Sequence, residues 1–151
     1  MKQILAALLF SGAACIGSPA LAAGTDETPT APAAVNDLEE GRKAVQARQW
    51  RTAITHLEKA LAKDRNNADI HNWLGYSYRN SGNIAKGMES YNVALKLNPN
   101  HRGAHEYIGI AYLLQKNKSK ATEHLARLET ICGKSCEEYQ DLQKAIAAYK
   151  E

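Results

Sequence analysis

At 151 residues the chain has room for one domain with a real core, and not for two. Its 19 Lys and Arg stand against 16 Asp and Glu, too even a balance for a nucleic-acid stripe or a polybasic membrane surface. One Phe and four Pro, among many Ala, Leu, Lys and Glu, favour helices over strands.

Residues 1–22 read as a secretory signal. Lys2 supplies a positive start, and Ile4 to Phe10, continuing through Ile16, form an apolar run too short to anchor across a bilayer core of roughly 30 Å. Pro19 breaks the run, and Ala20-Leu21-Ala22 offers the small-x-small pattern read by a signal peptidase. The expectation is cleavage after Ala22 and export; an uncleaved anchor is the alternative. Lipid modification of Cys15 is a further one, but Gly12 stands where that signal wants a large aliphatic residue. Cleavage would remove Cys15 and leave Cys132 and Cys136, an even pair of the kind an oxidising compartment permits. The short, Ala-rich leader has a bacterial look, so the expected address is the periplasm. Residues 23–34 (AGTDETPTAPAA) are small, polar and proline-bearing, and are expected to be a disordered spacer.

From Val35 onward the chain repeats. Gly41, Gly75 and Gly109 lie 34 residues apart. The same offset links Leu57, Tyr91 and Leu125; Ala53, Gly87 and Ala121; Ala60, Ala94 and Leu128; and Ala44, Tyr78 and Tyr112. Within the middle unit Ile70, Leu74 and Tyr78 have helical spacing, as do Ile84, Met88, Tyr91 and Leu95 further on. Between them Asn80-Ser81-Gly82-Asn83 reads as a helix stop and restart, with Gly82 suited to a left-handed backbone. Leu97-Asn98-Pro99-Asn100 ends the second helix and is expected to cap the next. Each unit is thus a helical hairpin. Gly75 and Gly109 are expected to face Gly87 and Ala121, so that the two backbones approach closely. One hairpin cannot bury its own apolar face, and stacked neighbours supply the core.

Beyond the third unit Gly133 fits a helix end, and Ser135 with Glu138 has the spacing of a capping box. Tyr139, Leu142, Ile146 and Tyr149 then form one apolar stripe, predicting a helix over 136–150 that covers the open end of the stack. A disulfide between Cys132 and Cys136 would close so short a loop that its chain-entropy contribution is only about 2 kcal/mol. A redox-active pair and a soft-metal site stay open beside it, as do two free thiols. Cys136 would sit at a helix N-terminus, which favours a thiolate, but no third ligand stands nearby in sequence.

Leu74-Gly75-x-x-Tyr78, Gly87, Tyr91, Ala94 and Pro99 resemble the motif of the tetratricopeptide-repeat (TPR) family. The chain departs from it at His71 and His105, where a large aromatic is usual, and at Gly87, where Ala is usual. The first unit has Glu40 for the expected Leu and Arg65 for the expected Pro, and the third replaces the closing Pro with Gly133. The resemblance implies an all-α TPR domain over 35–150. Three helix-turn-helix units, about 34–67, 68–101 and 102–135, would stack as a short right-handed solenoid closed by the C-terminal capping helix. The ending Cys132-x-x-x-Cys136-Glu137-Glu138-Tyr139 is similar to that of proteobacterial TPR proteins, which again implies a periplasmic address.

In this family the first helices of the units line a concave groove that holds a segment of a partner. The resemblance therefore places Leu38, Arg42, Val45 and Gln46 on the groove from the first unit and Asn72, Tyr76, Arg79 and Asn80 from the second. Glu106, Ile110, Leu113 and Leu114 follow from the third, although some of the last three are expected under the cap. Tyr and Arg are enriched at binding hot spots. The basic two-carboxylate clamp of chaperone-binding TPR domains is not matched: the first unit offers only Arg42, and no lysine sits on the groove.

The implied function is a non-enzymatic adaptor or scaffold in the bacterial cell envelope. It would bind a protein or peptide, with no cofactor, no nucleic acid and no membrane span after cleavage; self-association is compatible with this. The alternative is a thiol-redox or soft-metal (copper) carrier using Cys132 and Cys136. The histidines have a structural reading, since His71 and His105 are repeat-equivalent, as are His56 and His124. Consecutive copies would lie about 10 Å apart, too far to share an ion across metal–nitrogen bonds of about 2 Å. His101 and His105 could meet on one helical face, but two ligands alone make a weak site. No nucleophile–base pair, phosphate loop or HExxH occurs. Glu39-Glu40 and Glu137-Glu138 read as helix N-terminal charges favourable to the dipole.

Overall fold

The computed structural model describes residues 36–150, so the expected signal, the spacer and Cys15 lie outside the described residues. Among those described, every regular element is a helix: α1 (Asp37–Gln46), α2 (Trp50–Lys63), α3 (Ala68–Asn80), α4 (Ile84–Leu97), α5 (Arg102–Leu114), α6 (Lys118–Cys132) and α7 (Glu137–Ala148). The described residues form an all-α fold, with three helical hairpins in series followed by one further helix.

Local chemistry sets the helix starts. The Asn67 side chain accepts from the Asp69 and Ile70 amides, Asn83 from Lys86, and Asn117 from Lys120. At α5 the cap lies just beyond the expected Leu97–Asn100 stretch: it is His101, whose Nδ1 accepts from the Ala104 amide at 3.1 Å. The Asn100 backbone N–H donates to Asn98 Oδ1 at 3.0 Å, closing the turn before the helix. His101 and Asn67 are one repeat apart, so an imidazole and a carboxamide perform the same task.

The turns inside the hairpins obey the period more closely than their residues do. Arg48, Gly82 and Lys116, each one repeat from the next, have φ of 56°, 93° and 59°. A left-handed backbone costs a residue with a Cβ roughly 1–2 kcal/mol, partly offset by the smaller unfolded-state entropy of a non-glycine residue. Lys116→Gly is therefore expected to raise stability by about 0.5–1 kcal/mol, read as a higher urea midpoint at unchanged slope.

The hairpins close on glycine. A Cβ on Gly75 would lie 2.5 Å from Tyr91 Cε1, and one on Gly87 would lie 3.0 Å from the Gly75 carbonyl oxygen. Gly41 is covered in the same way by Leu57, its Cβ position lying 2.7 Å from Leu57 Cγ. The third unit differs. Gly109 is covered by Leu142 of α7 at 2.7 Å, while Leu125, in the column of Leu57 and Tyr91, is only half-buried.

Burial follows the series. Ala53 and Leu57 of the first hairpin pack with Ile70 and Leu74 of α3. Tyr91 of α4 packs with Ile108 and Ala111 of α5, and Leu128 of α6 packs with Tyr139 and Leu142 of α7. Each helix pair thus completes its core against the next, as a repeat array requires. The last helix begins one residue later than its sequence suggests. Cys136 is the N-cap, in extended conformation and with no side-chain cap bond, so the Ser135–Glu138 capping box does not form. The bond between the Cys132 and Cys136 sulfurs ties Cys136 to the end of α6 and leaves Ser135 in the turn. Glu138 turns instead to Arg102, at 3.4 Å.

Candidate functional site

Helices α3 and α5 place the same columns of their sequences side by side. On α3 these are Asn72, Trp73 and Tyr76, with Arg79 one turn further on; on α5 they are Glu106 and Tyr107. Tyr76 is the hub. Its ring centroid lies 4.8 Å from Tyr107, 6.2 Å from Trp73 and 5.9 Å from Trp50, the two tryptophans edge-on. The Arg79 guanidinium rests 5.2 Å from the centre of Tyr76 and 5.6 Å from that of Tyr107. Its Nη1 is buried without a hydrogen-bond partner among the described residues. Arg42 lies over Trp73 at 5.8 Å.

Beside this cluster a cleft of about 300 Å³ opens between α3, α5 and α7, with Asn72, Trp73, Glu106, Tyr107, Glu138 and Asp141 among its walls. Asn72 is only 5% exposed, and its Oδ1 has no partner among the described residues. Burial above all, then the charges of Asp141 and Glu138, pushes the Glu106 carboxyl up to about 8, with Arg79 opposing. Burial likewise holds the Tyr107 phenol protonated. At the rim His101 Nε2 meets Asp69 Oδ1 at 2.9 Å.

The residues placed on the groove from the sequence divide accordingly. Asn72, Tyr76, Arg79 and Glu106 come together at the cluster and cleft, and Arg42 joins them through Trp73. Leu38 is half-buried against the first core cluster. Gln46 is exposed, and so is Asn80, whose side chain donates to the Tyr76 carbonyl at 2.7 Å. Val45 and Leu113 are buried, so neither presents a side chain to a groove: each falls on the inward stripe of its helix. Ile110 packs under α7 and Leu114 stays exposed. Trp73 and Tyr107 were missed, although they are one repeat apart and directly follow Asn72 and Glu106. The α7 acids Glu138 and Asp141 lie outside the period, and no repeat signal points to them.

A second polar station lies between α5 and α6. His105 Nε2 donates to the Pro99 carbonyl at 2.9 Å, so its Nδ1 accepts, and His124 Nδ1 lies 2.9 Å away as donor. Tyr112 stacks on His124 at 5.7 Å. Burial, then His105, lowers His124 to about 4, and burial also lowers His105. The first unit fills the same columns with Asp37 and His56, 3.4 Å apart. Comparison of repeat-equivalent histidines misses this pair, because its members occupy different columns of one hairpin.

The Cys132 and Cys136 sulfurs are bonded to each other, with Cα atoms 5.9 Å apart. Contrary to the sequence reading, a third ligand-bearing residue stands close by: Glu138 offers its carboxylate within 4.8 Å of both sulfurs. Ligation by these sulfurs would require the reduced, thiolate pair.

With this geometry established, the chain can be set beside known proteins. The tetratricopeptide-repeat family profile matches residues 38–101 and 77–135. Among solved structures, the Arabidopsis OM64 TPR domain is similar at a TM-score of 0.68 and 13% identity, over 76% of this chain and 93% of that one. The first TPR of Spaghetti (RPAP3), bound to the HSP90 peptide SRMEEVD, gives 0.66 and 20%, over 74% and 89%. The TPR2B domain of yeast Sti1, in a complex with pHsp70, gives 0.66 and 15%, over 76% and 95%. At these identities the likeness is one of fold. No curated protein matches the sequence.

Proposed function

The chain belongs to the tetratricopeptide-repeat family, and from that premise we propose that it is a non-enzymatic adaptor holding a protein or peptide segment against the α3–α5 face. The observation that carries this reading is the Tyr76–Arg79–Tyr107 cluster. It gathers half-buried aromatic and arginine side chains, and Arg79 keeps a buried Nη1 without a partner among the described residues. Such groups are costly to leave unmade and profitable to complete on binding. The TPR fold of RPAP3, bound to an HSP90 peptide, and that of Sti1, in a complex with pHsp70, support a peptide-sized occupant. We place the adaptor in the bacterial cell envelope, on the strength of the signal-like residues 1–22 and the even cysteine pair.

The test is affinity capture from periplasm with the wild-type protein beside a Tyr76→Ala/Arg79→Ala variant whose helical content has been checked by circular dichroism. A partner held by the wild type and lost from the folded variant is the expected result. Undiminished capture by the variant removes the α3–α5 face from the reading.

A further inference from the structure

Resting on that adaptor reading, we propose that the cleft between α3, α5 and α7 receives an arginine side chain of the partner segment, its guanidinium paired with Glu106 and laid against Trp73 and Tyr107.

The charge of the cleft points to a cation. Glu106, Glu137, Glu138 and Asp141 all line it, and the one basic side chain on its wall, His101, is held by Asp69. Glu138 is matched by Arg102 and Asp141 by Lys144, both from outside the lining. Glu106 has neither a hydrogen bond nor an ion pair among the described residues, and burial is the main cause of its raised carboxyl. Independently of the acids, Asn72 brings a buried Oδ1 that nothing among the described residues satisfies. A carboxylate and a carboxamide oxygen between two aromatic walls suit a flat, forked, weakly hydrated donor. A compact ammonium would use the walls and the second acceptor less well. The arrangement also has the opposite sign to a groove for acidic chain ends.

Occupancy changes the protonation of the site. Glu106 is mostly neutral at pH 7, because burial and the acids of α7 outweigh Arg79 of α3. Tyr107 of α5, the Asp69–His101 pair at the rim and Arg102 complete the groups that face it. A guanidinium keeps its charge throughout, so binding it ionises Glu106 and releases a proton to solvent. With a carboxyl at about 8, affinity should rise about tenfold from pH 7 to pH 9.

The probe is an N-acetylated, C-amidated Ala-Ala-Arg-Ala-Ala peptide titrated into the full chain by NMR, beside the same peptide carrying neutral citrulline and one carrying lysine. Expected are shifts at Asn72, Trp73 and Glu106 and binding roughly tenfold or more weaker for citrulline. E106Q should show a similar loss for the arginine peptide, together with loss of the rise between pH 7 and pH 9. Equal binding of citrulline or lysine overturns the guanidinium assignment. So does tighter binding of calcium chloride at the same residues, or the absence of any shift at millimolar peptide. Partner capture separates this proposal from the adaptor reading. Capture lost in Tyr76→Ala/Arg79→Ala but kept in E106Q sinks the cleft alone, whereas capture kept in both sinks the groove as well.

Discussion

Gly75→Ala is expected to destabilise the protein by about 2 kcal/mol, although alanine is the better helix former by about 1 kcal/mol. The position lies in the middle of α3, where propensity alone predicts a gain. The new methyl would sit 2.5 Å from Cε1 and 2.6 Å from Cδ1 of Tyr91. That ring is fully buried and is held against Ile108 and Ala111, so it cannot swing aside. Relief requires α4 to move, and the backbones are already so close on that side that a Cβ on Gly87 would lie 3.0 Å from the Gly75 carbonyl oxygen. Gly103→Ala is the control: its methyl would lie 3.2 Å from the Asn72 carboxamide, a side-chain end that can shift, and at ordinary contact distance from the His101 ring. Urea unfolding of both variants decides the matter. A Gly75→Ala midpoint at or above the wild type would show that the close approach is not what closes the hairpin.

Acid should weaken the fold through the His105–His124 pair, with the loss concentrated between about pH 6.5 and pH 4. Both rings are lowered by burial, His124 to about 4, so the folded state holds them neutral where the unfolded chain takes up protons. For a depressed histidine, stability is present above the unfolded value of about 6.5 and is lost as pH falls toward the folded value. The partial exposure of His124 screens the effect, leaving roughly 1–2 kcal/mol for the pair. Glu106 acts oppositely in an overlapping window: its raised carboxyl costs increasing stability as pH climbs from about 4.5 to about 8. Two variants separate them. His124→Ser, which borrows the residue of the matching column in the second unit, should flatten the decline from pH 7 to pH 4. Glu106→Gln should raise the melting temperature at pH 9 and leave it unchanged at pH 4. A His124→Ser profile parallel to the wild type over pH 7 to 4 would remove the pair from the account.

The period read from Gly41, Gly75 and Gly109 carried the helical hairpins and their stacking, because helix spacing and close-approach glycines are local demands written in residue size. Less was legible where one conformation is filled by different residues. Arg48 and Lys116 adopt the left-handed turn of Gly82 without announcing it, and His101 caps α5 as an asparagine would. Of the candidate site, Tyr76, Arg79, Asn72 and Glu106 were reached through the family motif. Trp73 and Tyr107 were within reach of the same period one residue on. Glu138 and Asp141 were not, because α7 belongs to no column and its placement depends on contacts with both α5 and α6. The Ser135–Glu138 spacing misled for a related reason: a bond formed across the junction overrides a capping preference worth about 1 kcal/mol.

Leu142 on Gly109 has a consequence for how such an array could be lengthened. Gly41 and Gly75 hold the same column as Gly109, but Leu57 and Tyr91 already occupy the space above them. The seat for α7 is therefore vacant only on the hairpin whose own second helix leaves it open, where Leu125 stays half-buried. New hairpins copied from residues 68–101 could be spliced in ahead of Arg102 and would stack on one another. A copy placed after Cys132 would offer the terminal helix a surface whose socket is already filled by tyrosine. The last hairpin and its helix act as a matched plug and socket, and they must travel together.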